Sequence, residues 1–454
     1  MAMGQRERDD QGSFWVATSA LPTGAAHPFY EQVNRILDSR GFDGFVEGRC
    51  RRFYADTMGR PSLAPAVYFR IMMVGYFEGI DSERGIAWRV SDSLGLRKFL
   101  GYSLTDDPPD HSTISRNRRL IDVQTHEAVF TWVLQVLAEE GLLKGKTVGI
   151  DATTLEANAA MRSIVRHDTG ESYQEFLTRL AKASGMETPT REDLAKLDKH
   201  RENKASNEDW QNPHDPDAKV TKMKDGRTHL AYKAEQVVDL KTEMVVAAQI
   251  YPADQGDAET LVETLAAAQE NLREAKSAQN VNEVVADKGY HKAETLADCA
   301  ETMTRTYIAE AKGKRRRWTD KPEGQQEAVY ANRRRCRGER GKRLQRWRSE
   351  RIERSFAHVC ETGGARRTWI RGLWEVTKRY LIQVAAHNLG LIMRRLFGVG
   401  TPRSLQGSLR AFFVLWRILC GSLEAHILLL IHPRPASAAE PAHSCSEAAK
   451  LAAA

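Results

Sequence analysis

The sequence predicts an α/β protein with an all-helical region on its amino-terminal side. Two short apolar runs, at 147–150 and 283–286, each lead directly into an aspartate, as buried strands that carry a site do. Two further strand-like runs lie between them, at 230–239 and 243–252, and helical patterns follow the later strands. Strands that alternate with helices in this way indicate a mixed sheet with helices packed on its faces.

The length and composition fit a protein of two or three domains. The chain has 454 residues, of which 41% are hydrophobic and 28% charged, and its formal net charge is +7. We predict an amino-terminal segment 1–60, a helical domain 61–140, an α/β domain 141–396 with a charged insertion at 160–228, and a hydrophobic helix with a disordered tail at 397–454. No secretory signal is visible and the six cysteines form no CxxC pair, so we expect reduced thiols and no zinc site.

The helical domain is predicted from its capping residues and from apolar residues at helical spacing. Ser62 and the pair Asp81-Ser82 each precede such a helix, and Asp110 caps a later one after a Pro-Pro stop. Several short helices ending in one with a polar, basic first turn are typical of a helix-turn-helix DNA reader. A plain helical bundle with a solvated arginine face fits the same pattern, so both interpretations stay open. The residues predicted to contact DNA here are Ser112, Thr113, Ser115, Arg116, Arg118 and Arg119.

The α/β domain is predicted to hold two acids at strand ends. The run KTVGID gives a buried strand that delivers Asp151 at its carboxyl end, and NEVVADKGY gives another that ends in Asp287. Between them we predict the charged insertion, a hairpin, and a helix capped by Asp257. Open α/β sheets place their sites at such strand ends. Either aspartate alone also fits a cap or a salt-bridge partner, so only the pair indicates a site.

A dense basic run with interleaved aromatic residues extends from 312 to 354. A solvated charged surface is the usual meaning of such a run, but this density favours contact with phosphate backbones and stacking on exposed bases. The residues predicted to contact DNA are Arg333, Arg334, Arg335, Arg346 and Trp347. A long helix at 373–396 is predicted to pack against the sheet. The apolar run at 411–431 carries ionisable groups, so we expect a packed hairpin or a partner-binding helix there and no membrane span.

The two aspartates indicate a particular chemistry when they are taken together with the acidic residues at the start of the helix that directly follows the basic run. Carboxylates are the ligands that hard divalent cations prefer, and two such ions about 4 Å apart can cleave or transfer a phosphodiester without a protein nucleophile. Glu350 and Glu353 are the candidate third acids on this helix. The basic run would supply counter-charge to a polyanion beside the site. The pattern therefore predicts metal-dependent chemistry on DNA.

Three segments resemble the acid-bearing blocks of the DDE transposases of bacterial insertion sequences. They are VGIDATTLEANAA, NEVVADKGYHKAETL and RSERIERSFAHVCETGGARRTWIRG, and the upstream DHSTISRNRRL resembles the amino-terminal domain of the same family. The similarity runs from Pro61 to Arg395. It implies a ribonuclease H-like mixed sheet with flanking helices, two Mg²⁺ ions with Mn²⁺ as a substitute, recognition of terminal inverted repeats and target DNA, and a homodimer on paired element ends.

The resemblance also implies roles for individual residues. Asp151 and Asp287 correspond to the first and second acids of the family, and Glu353 to the third because it directly precedes Arg-Ser-Phe. Glu350 is the rival, three residues earlier and on nearly the same helix face. The tail after Gly400 departs from the family pattern, so its role stays open. The other residues that the resemblance places at the DNA are Lys288, Tyr290 and Arg354.

The predicted function is a transposase that cuts and joins DNA in the bacterial cytoplasm, at the nucleoid and without a membrane. Two alternatives remain: a metal-dependent nuclease that uses the same acids, and a non-catalytic DNA-binding regulator derived from a transposase. Inverted repeats flanking the coding region would favour transposition over the nuclease. DNA binding without metal-dependent cleavage would favour the regulator.

Overall fold

The computed structural model describes residues 27–55, 62–103, 105–201, 204–223, 225–311, 317–319 and 321–405. Contacts group the chain up to Arg403 into one unit and residues 404–454 into a second, of which only the first two residues are described. The predicted apolar helix at 411–431 and the predicted disordered tail therefore lie outside the described residues. Among the helices that are described, none is long and apolar enough to cross a membrane.

Short helices make up the described chain before the first strand. Side-chain caps fix their starts as the sequence predicts: the Ser82 hydroxyl accepts from Gly85 N, and Asp110 accepts from Thr113 N at 2.7 Å. The helix predicted to follow a Ser62 cap instead begins at Pro65 without a side-chain cap, because a proline at the first position is already set in helical φ. The helices are α1 (Pro28–Ser39), α2 (Phe42–Cys50), α3 (Pro65–Glu78), α4 (Glu83–Asp92), α5 (Leu94–Phe99), α6 (His111–Leu120) and α7 (Val123–Glu139).

A mixed sheet follows, in the spatial order β8, β7, β1, β5, with β4 and β6 paired to successive parts of the outer edge of β5. β1, β7 and β8 run parallel, whereas β1 and β5 run antiparallel. This order is consistent with a ribonuclease H-like core. The strands are β1 (Thr147–Glu156), β2 (Val165–Arg166), β3 (Trp210–Gln211), β4 (Lys219–Lys222), β5 (Thr228–Asp239), β6 (Val245–Pro252), β7 (Glu283–Ala286) and β8 (Arg305–Ile308).

Helices cover both faces of this sheet. Successive strand residues point to opposite faces, so neighbouring side chains on β5 identify the helix on each side. Gln236 accepts from the Ser355 hydroxyl at 2.7 Å, whereas Glu235 accepts from the Thr260 hydroxyl at 2.9 Å. The helix carrying Ser355 therefore lies on one face and the helix carrying Thr260 on the other. The remaining helices are α8 (Tyr173–Ala183), α9 (Arg191–Lys199), α10 (Asp257–Glu274), α11 (Ala293–Glu301), α12 (Gln325–Arg337), α13 (Glu339–Phe356) and α14 (Leu373–Phe397).

The long helix α14 is the shared packing partner of the helical region and the sheet. Every residue from Val376 to Met393 is buried, and the helix contacts α3 and α7 as well as β6. The Asn388 side chain pairs with the backbone of Val245, donating to its carbonyl oxygen at 2.8 Å and accepting from its N–H at 3.0 Å. That pairing satisfies backbone groups on the outer side of β6. The helix is therefore buried on all sides, as its central position requires.

The charged insertion builds a small core of its own around Trp210. This indole is 1% exposed and packs against the rings of Tyr173 and Phe176. Two acids of the insertion bond the start of α14. Asp215 accepts from Gly372 N and Asp217 accepts from Leu373 N, each at 3.0 Å, so the insertion supplies partners for otherwise unpaired helix N–H groups.

The predicted fold class is confirmed, and the differences lie in single elements. The strand β8 and the helices α1 and α2 were not predicted, because their short or irregular patterns carry little periodicity. The strand β1 does not end at Asp151, as the sequence predicted. It continues to Glu156, because it stays paired with β5 to that point. The division into separate domains at 140 stays a prediction.

Because two histidines are buried, we expect the free energy of unfolding to decrease in acid. Burial lowers the pKa of His126 and of His387 to about 3, while Tyr68 and Tyr76 hydroxyls bond the respective rings. An unfolded histidine binds its proton near pH 6.5, so below that pH the unfolded chain holds protons that the folded chain lacks. Each histidine should then lower the free energy of unfolding by at most about 1.4 kcal/mol per pH unit, and the values from urea unfolding at pH 6 and pH 5 should differ by about 2.5 kcal/mol.

The variant His126→Gln provides the control for this pH dependence. It should lower the free energy of unfolding at pH 7 and reduce its pH slope by about half, since one of the two titrating rings is gone. A free energy of unfolding that stays constant between pH 7 and pH 5 would contradict the prediction.

Candidate functional site

The register of the central strands places Asp151 and Asp287 side by side. In the parallel pair of β1 and β7, Thr147 lies opposite Glu283 and Gly149 opposite Val285. Continuing this register by two residues along each strand brings Asp151 beside Asp287, the first residue after β7. The two predicted acids therefore meet where the parallel pairing ends, at the carboxyl edge of β7.

The carboxylate of Asp151 is half-buried and held by an arginine from α13. Arg348 Nη1 lies 2.8 Å from Asp151 Oδ2. Burial raises the pKa of Asp151, and the nearby Asp287 carboxylate adds to that rise, while the Arg348 guanidinium opposes it. Two carboxylates that are close enough for one to raise the pKa of the other create a site that favours a positive charge. Arg348 supplies that charge in this structure.

Asp287 begins a tight turn in which Gly289 lies close to two carboxylates. Its Oδ1 accepts from Gly289 N at 2.8 Å, which orients the carboxylate. A Cβ on Gly289 would lie 2.7 Å from Asp257 Oδ2 and 3.1 Å from Asp287 Oδ1, so a side chain there would displace both acids. The Asp-Lys-Gly-Tyr sequence therefore fixes the position of the second acid relative to the start of α10.

Below this turn, Tyr290 belongs to a buried polar network. Its side chain is 0% exposed, and its hydroxyl donates to Glu235 Oε1 at 2.7 Å. Glu235 also lies 3.4 Å from Lys233 Nζ, which in turn lies 2.8 Å from Asp257 Oδ1. Tyr290 was predicted to position the DNA end by contact, but this burial leaves its hydroxyl inside the protein. The neighbouring Lys288 is exposed, as a DNA contact requires.

The helix α13 lies directly over β1 because Gly149 has no side chain. A Cβ there would lie 2.8 Å from Ile352 Cδ1 and 3.2 Å from Arg348 Cγ. Gly149 and Asp151 project to the same face of the strand, since they are two residues apart. The close approach at Gly149 therefore sets the distance between α13 and Asp151.

The two candidate third acids lie about 60° apart around α13 and have different partners. Gln345 donates to the Ala286 carbonyl oxygen at the carboxyl end of β7, and Ser349 and Glu353 continue its row at steps of four residues. The Ser349 hydroxyl donates to Glu353 Oε1 at 3.0 Å. Glu353 thus lies on the flank that faces the Asp287 end of the sheet.

Glu350 is exposed on the outer face of α13 and pairs with Arg354, which also reaches the hairpin between β5 and β6. Arg354 pairs with Glu350 Oε1 at 2.5 Å and with Glu243 Oε2 at 2.8 Å, and Glu243 belongs to that hairpin. Because β5 runs antiparallel to β1, its final residues lie beside the amino-terminal end of β1. Glu350 and Arg354 therefore point away from the carboxyl edge that carries Asp287.

The donor set at this edge suits a hard divalent cation, although the described side chains do not yet surround one. In the described ranges, no three His, Cys, Asp or Glu side chains converge closely enough to hold a metal ion. Asp151 and Asp287 offer adjacent carboxylate oxygens, the ligand type that Mg²⁺ and Mn²⁺ take. Arg348, which pairs with Asp151, marks where positive charge is already stabilised.

Much of the predicted basic run is used within the protein. Arg333 pairs with Glu310, and Arg335 donates to the Thr306 carbonyl oxygen, each at 2.8 Å. The ring of Trp347 is covered by Arg351, whose guanidinium lies 4.5 Å from the ring centroid. Two residues of the predicted DNA-contacting set remain exposed on the two helices, namely Arg334 and Arg346.

The predicted DNA-contacting residues of α6 also divide between surface and interior. Ser112, Arg116 and Arg119 are exposed on one face of the helix, with Thr113 and Ser115 half-buried beside them. Arg118 is 5% exposed instead. Its guanidinium pairs with Glu83 of α4 and Glu375 of α14, the first at 2.6 Å. That side chain joins three helices and does not face a ligand.

Substitutions of Arg118 and of Arg116 should distinguish the buried structural role from the DNA-contacting role. Arg118→Met should lower the free energy of unfolding by about 3 kcal/mol, because two carboxylates lose a buried partner. The exposed Arg116→Met should change it by less than about 0.5 kcal/mol and should instead weaken duplex DNA binding. Urea unfolding and fluorescence anisotropy with a labelled duplex measure the two effects. Equal stability of the two variants would count against the buried role of Arg118.

Sequence reasoning missed three parts of this site: Arg348, Gly149 and the pair Lys233–Glu235. A signal was present for the last, since Lys233 and Glu235 occur inside the strand-like run LAYKAEQVVD. Gly149 within a β-branched run also indicates a close approach of another element. Nothing in the sequence distinguishes Arg348 from the other arginines of the basic run.

Two protein-family models match the chain. A model described as a transposase domain (DUF772) matches residues 19–120, and one described as a transposase DDE domain matches residues 195–389. The second match includes Asp287 and Glu353 and begins after Asp151. Neither a curated protein nor a solved structure matches the chain.

Proposed function

Because the chain belongs to the DDE transposases of insertion sequences, we propose that it binds the terminal inverted repeats of its own element and catalyses metal-dependent DNA cleavage and strand transfer. The observation that carries this proposal is the strand register, which sets Asp151 beside Asp287 under α13. We further propose that it acts as a homodimer on paired ends, at the nucleoid where its DNA substrate lies.

In this proposal Asp151, Asp287 and Glu353 hold divalent metal, Mg²⁺ by preference. The metal would activate the attacking hydroxyl and stabilise the leaving oxygen of the phosphodiester. The two aspartates come from adjacent strands, and Glu353 comes from α13, the helix whose Arg348 contacts Asp151. The hydrogen bond between Ser349 and Glu353 is exposed to solvent, so replacing it with a bond to a metal ion would cost little free energy.

The chain's own cations have separate tasks in the proposal. Arg348 neutralises Asp151 in the free protein and lies within reach of a phosphate bound at the same edge. The exposed Lys288 follows Asp287 directly and is placed to contact the DNA end. The exposed face of α6 with Ser112, Arg116 and Arg119 would read the terminal repeat.

The test is cleavage of a labelled duplex that carries the element's own end, with Mg²⁺ and with EDTA. Wild type should cut at the element end only with metal, and Asp151→Asn and Asp287→Asn should each lose at least about 1000-fold in rate, or about 4 kcal/mol of transition-state stabilisation. Both variants should still bind the duplex. The control Glu187→Gln, an exposed carboxylate of the insertion, should cut like wild type. A wild type that binds the end and never cuts it would refute the enzyme and favour a regulator.

A further inference from the structure

A basic cleft lies at the edge of the sheet opposite to the acids. It has a volume of about 750 Å³ and opens between the end of α7, the start of β1, the end of β5, the end of α10 and the first half of α13. We call it the amino-edge cleft. Its cationic side chains come from four separate segments of the chain: they are Lys144, Lys146, Lys241, Lys276, Arg340 and Arg343.

Most cationic side chains of the amino-edge cleft have no ion-pair partner among the described residues. All six cationic side chains are exposed, and the four lysines form no ion pair with a carboxylate of the described residues. Arg340 pairs with Glu283 at 2.6 Å. Asp239 is the acid that lines the cleft, but its carboxylate is 0% exposed and is used by the backbone. Such a concentration of positive charge requires a structural cause.

That cause is the buried carboxylate of Asp239, which ties together the two loops that carry the lysines. Its Oδ2 accepts from the N–H groups of Lys144 and Gly145, each at 2.9 Å, and its Oδ1 accepts from Lys241 N at 2.8 Å. The backbones at 144 and 241 are therefore held side by side, with their side chains directed to solvent. The positive surface is built into the fold and does not arise from mobile side chains alone.

An aromatic side chain forms one wall of the same cleft. Trp347 lies between two arginines of α13, with the Arg343 guanidinium 5.6 Å and the Arg351 guanidinium 4.5 Å from its ring centroid. These contacts hold the ring in place and keep the two guanidinium groups at fixed positions beside it. Arg340, Arg343 and Trp347 follow one another at steps of three and four residues, so they share one side of the helix.

The cleft is too far from the acids to share their phosphate. Lys146 and Asp151 are separated by five residues of extended chain, or about 17 Å at about 3.3 Å per residue. A duplex rises about 3.4 Å per base pair, so the separation corresponds to about five base pairs. The open shape and the spread of the cations suit a long polyanion better than a small phosphate ligand, which needs converging donors.

We propose that the amino-edge cleft binds the sugar-phosphate backbone of double-stranded DNA, without reading its sequence, at a distance from the cleavage point. The proposal rests on the proposed function in taking DNA as the polyanion. It extends that function by adding a surface that anchors the duplex flanking the site of cleavage. Lysine and arginine contacts to phosphates release counterions, so this anchor contributes affinity that decreases steeply with salt.

The test is binding of a 30-base-pair duplex of arbitrary sequence, followed by fluorescence anisotropy in EDTA over a series of salt concentrations. In the cleft variant, Lys144, Lys146, Lys241 and Lys276 are all changed to glutamine in the full-length chain. The matched control makes the same four changes at exposed lysines of the insertion and β4, namely Lys182, Lys196, Lys199 and Lys222. Equal far-ultraviolet circular dichroism and equal melting temperatures establish that both variants are folded.

The cleft variant should lose at least about tenfold in affinity, and its plot of log affinity against log salt should become shallower by about three, since each lost phosphate contact removes about 0.9 from the slope. The control should show less than half of either effect. Equal effects in the two variants would overturn the proposal, and so would a loss confined to single-stranded DNA. Because this assay needs neither metal nor the element's end, its result is independent of whether wild type cleaves.

Discussion

Glu353→Gln is expected to abolish cleavage of the element end, whereas Glu350→Gln should leave it within about threefold of wild type. The two residues are only three apart, but their surroundings differ. Glu353 continues the row of Gln345 and Ser349 toward the carboxyl edge of β7, where Asp287 lies. A carboxamide there cannot replace an anionic ligand, so the rate should fall by at least about 1000-fold, equivalent to about 4 kcal/mol.

Glu350 serves as the matched control because the chemical change is the same. Its present role is an exposed pair with Arg354, and surface pairs of this kind contribute about 0–1 kcal/mol to stability. Single-turnover cleavage with Mg²⁺, together with anisotropy to show unchanged DNA binding, measures the difference. If Glu350→Gln loses cleavage and Glu353→Gln retains it, Glu350 is the third acid and the assignment of Glu353 is wrong.

Gly149→Ala should both destabilise the fold and slow cleavage. The new Cβ would lie 2.8 Å from Ile352 Cδ1 and 2.8 Å from Leu240 Cδ2, so both buried side chains must shift, and α13 moves with Ile352 where the packed core offers no other rotamer. Overpacking of a filled core costs about 1–3 kcal/mol. A shift of α13 also displaces Arg348 and Glu353 from the aspartates, and a misplacement of about 1 Å can cost about 100-fold in rate.

Two comparison variants isolate the contact as the cause. Gly48→Ala, in α2, meets no atom within 4 Å and should stabilise the fold by about 0.5–1 kcal/mol through its helical propensity. Adding Ile352→Val to Gly149→Ala removes the methyl group nearest to the new Cβ and should recover part of both losses. Urea unfolding and cleavage rates check these outcomes. If Gly149→Ala is as stable and as active as wild type, the close approach does not position the helix.

The sequence predicted the parts of the fold that rest on local pattern. Strands β1, β5, β6 and β7 were visible as apolar runs, and Asp287 was visible as the acid that ends one of them. Whether the two aspartates meet depends on the pairing of β1 with β7 across more than 130 residues of chain, a register that no local pattern specifies. The end of β1 was misplaced for the same reason, since pairing with β5 extends it to Glu156.

The use of individual cations was the least predictable part. Arg116 and Arg118 stand two residues apart in one basic turn, yet one faces solvent and the other joins α4 to α14. The difference arises because the partners, Glu83 and Glu375, lie far away in sequence. The burial of Tyr290 likewise depends on a distant partner, since Glu235 belongs to β5. Charge counts in the sequence therefore indicated the kind of ligand, and tertiary pairing decided which side chains are free to meet it.

The position of α14 has a consequence for how the protein is made. The buried faces of α3 and α7 pack against a helix that begins only at Leu373, so a growing chain exposes them long after both helices have left the ribosome. At about 5–20 residues per second, the delay between the end of α7 and the completion of α14 is about 10–50 seconds. During that interval the amino-terminal helices lack their main partner, and a chain that stops before α14 never acquires it. Completion of synthesis is therefore a condition for a fully packed amino-terminal region, and the abundance of properly folded molecules should depend on chaperones that bind apolar surface during translation.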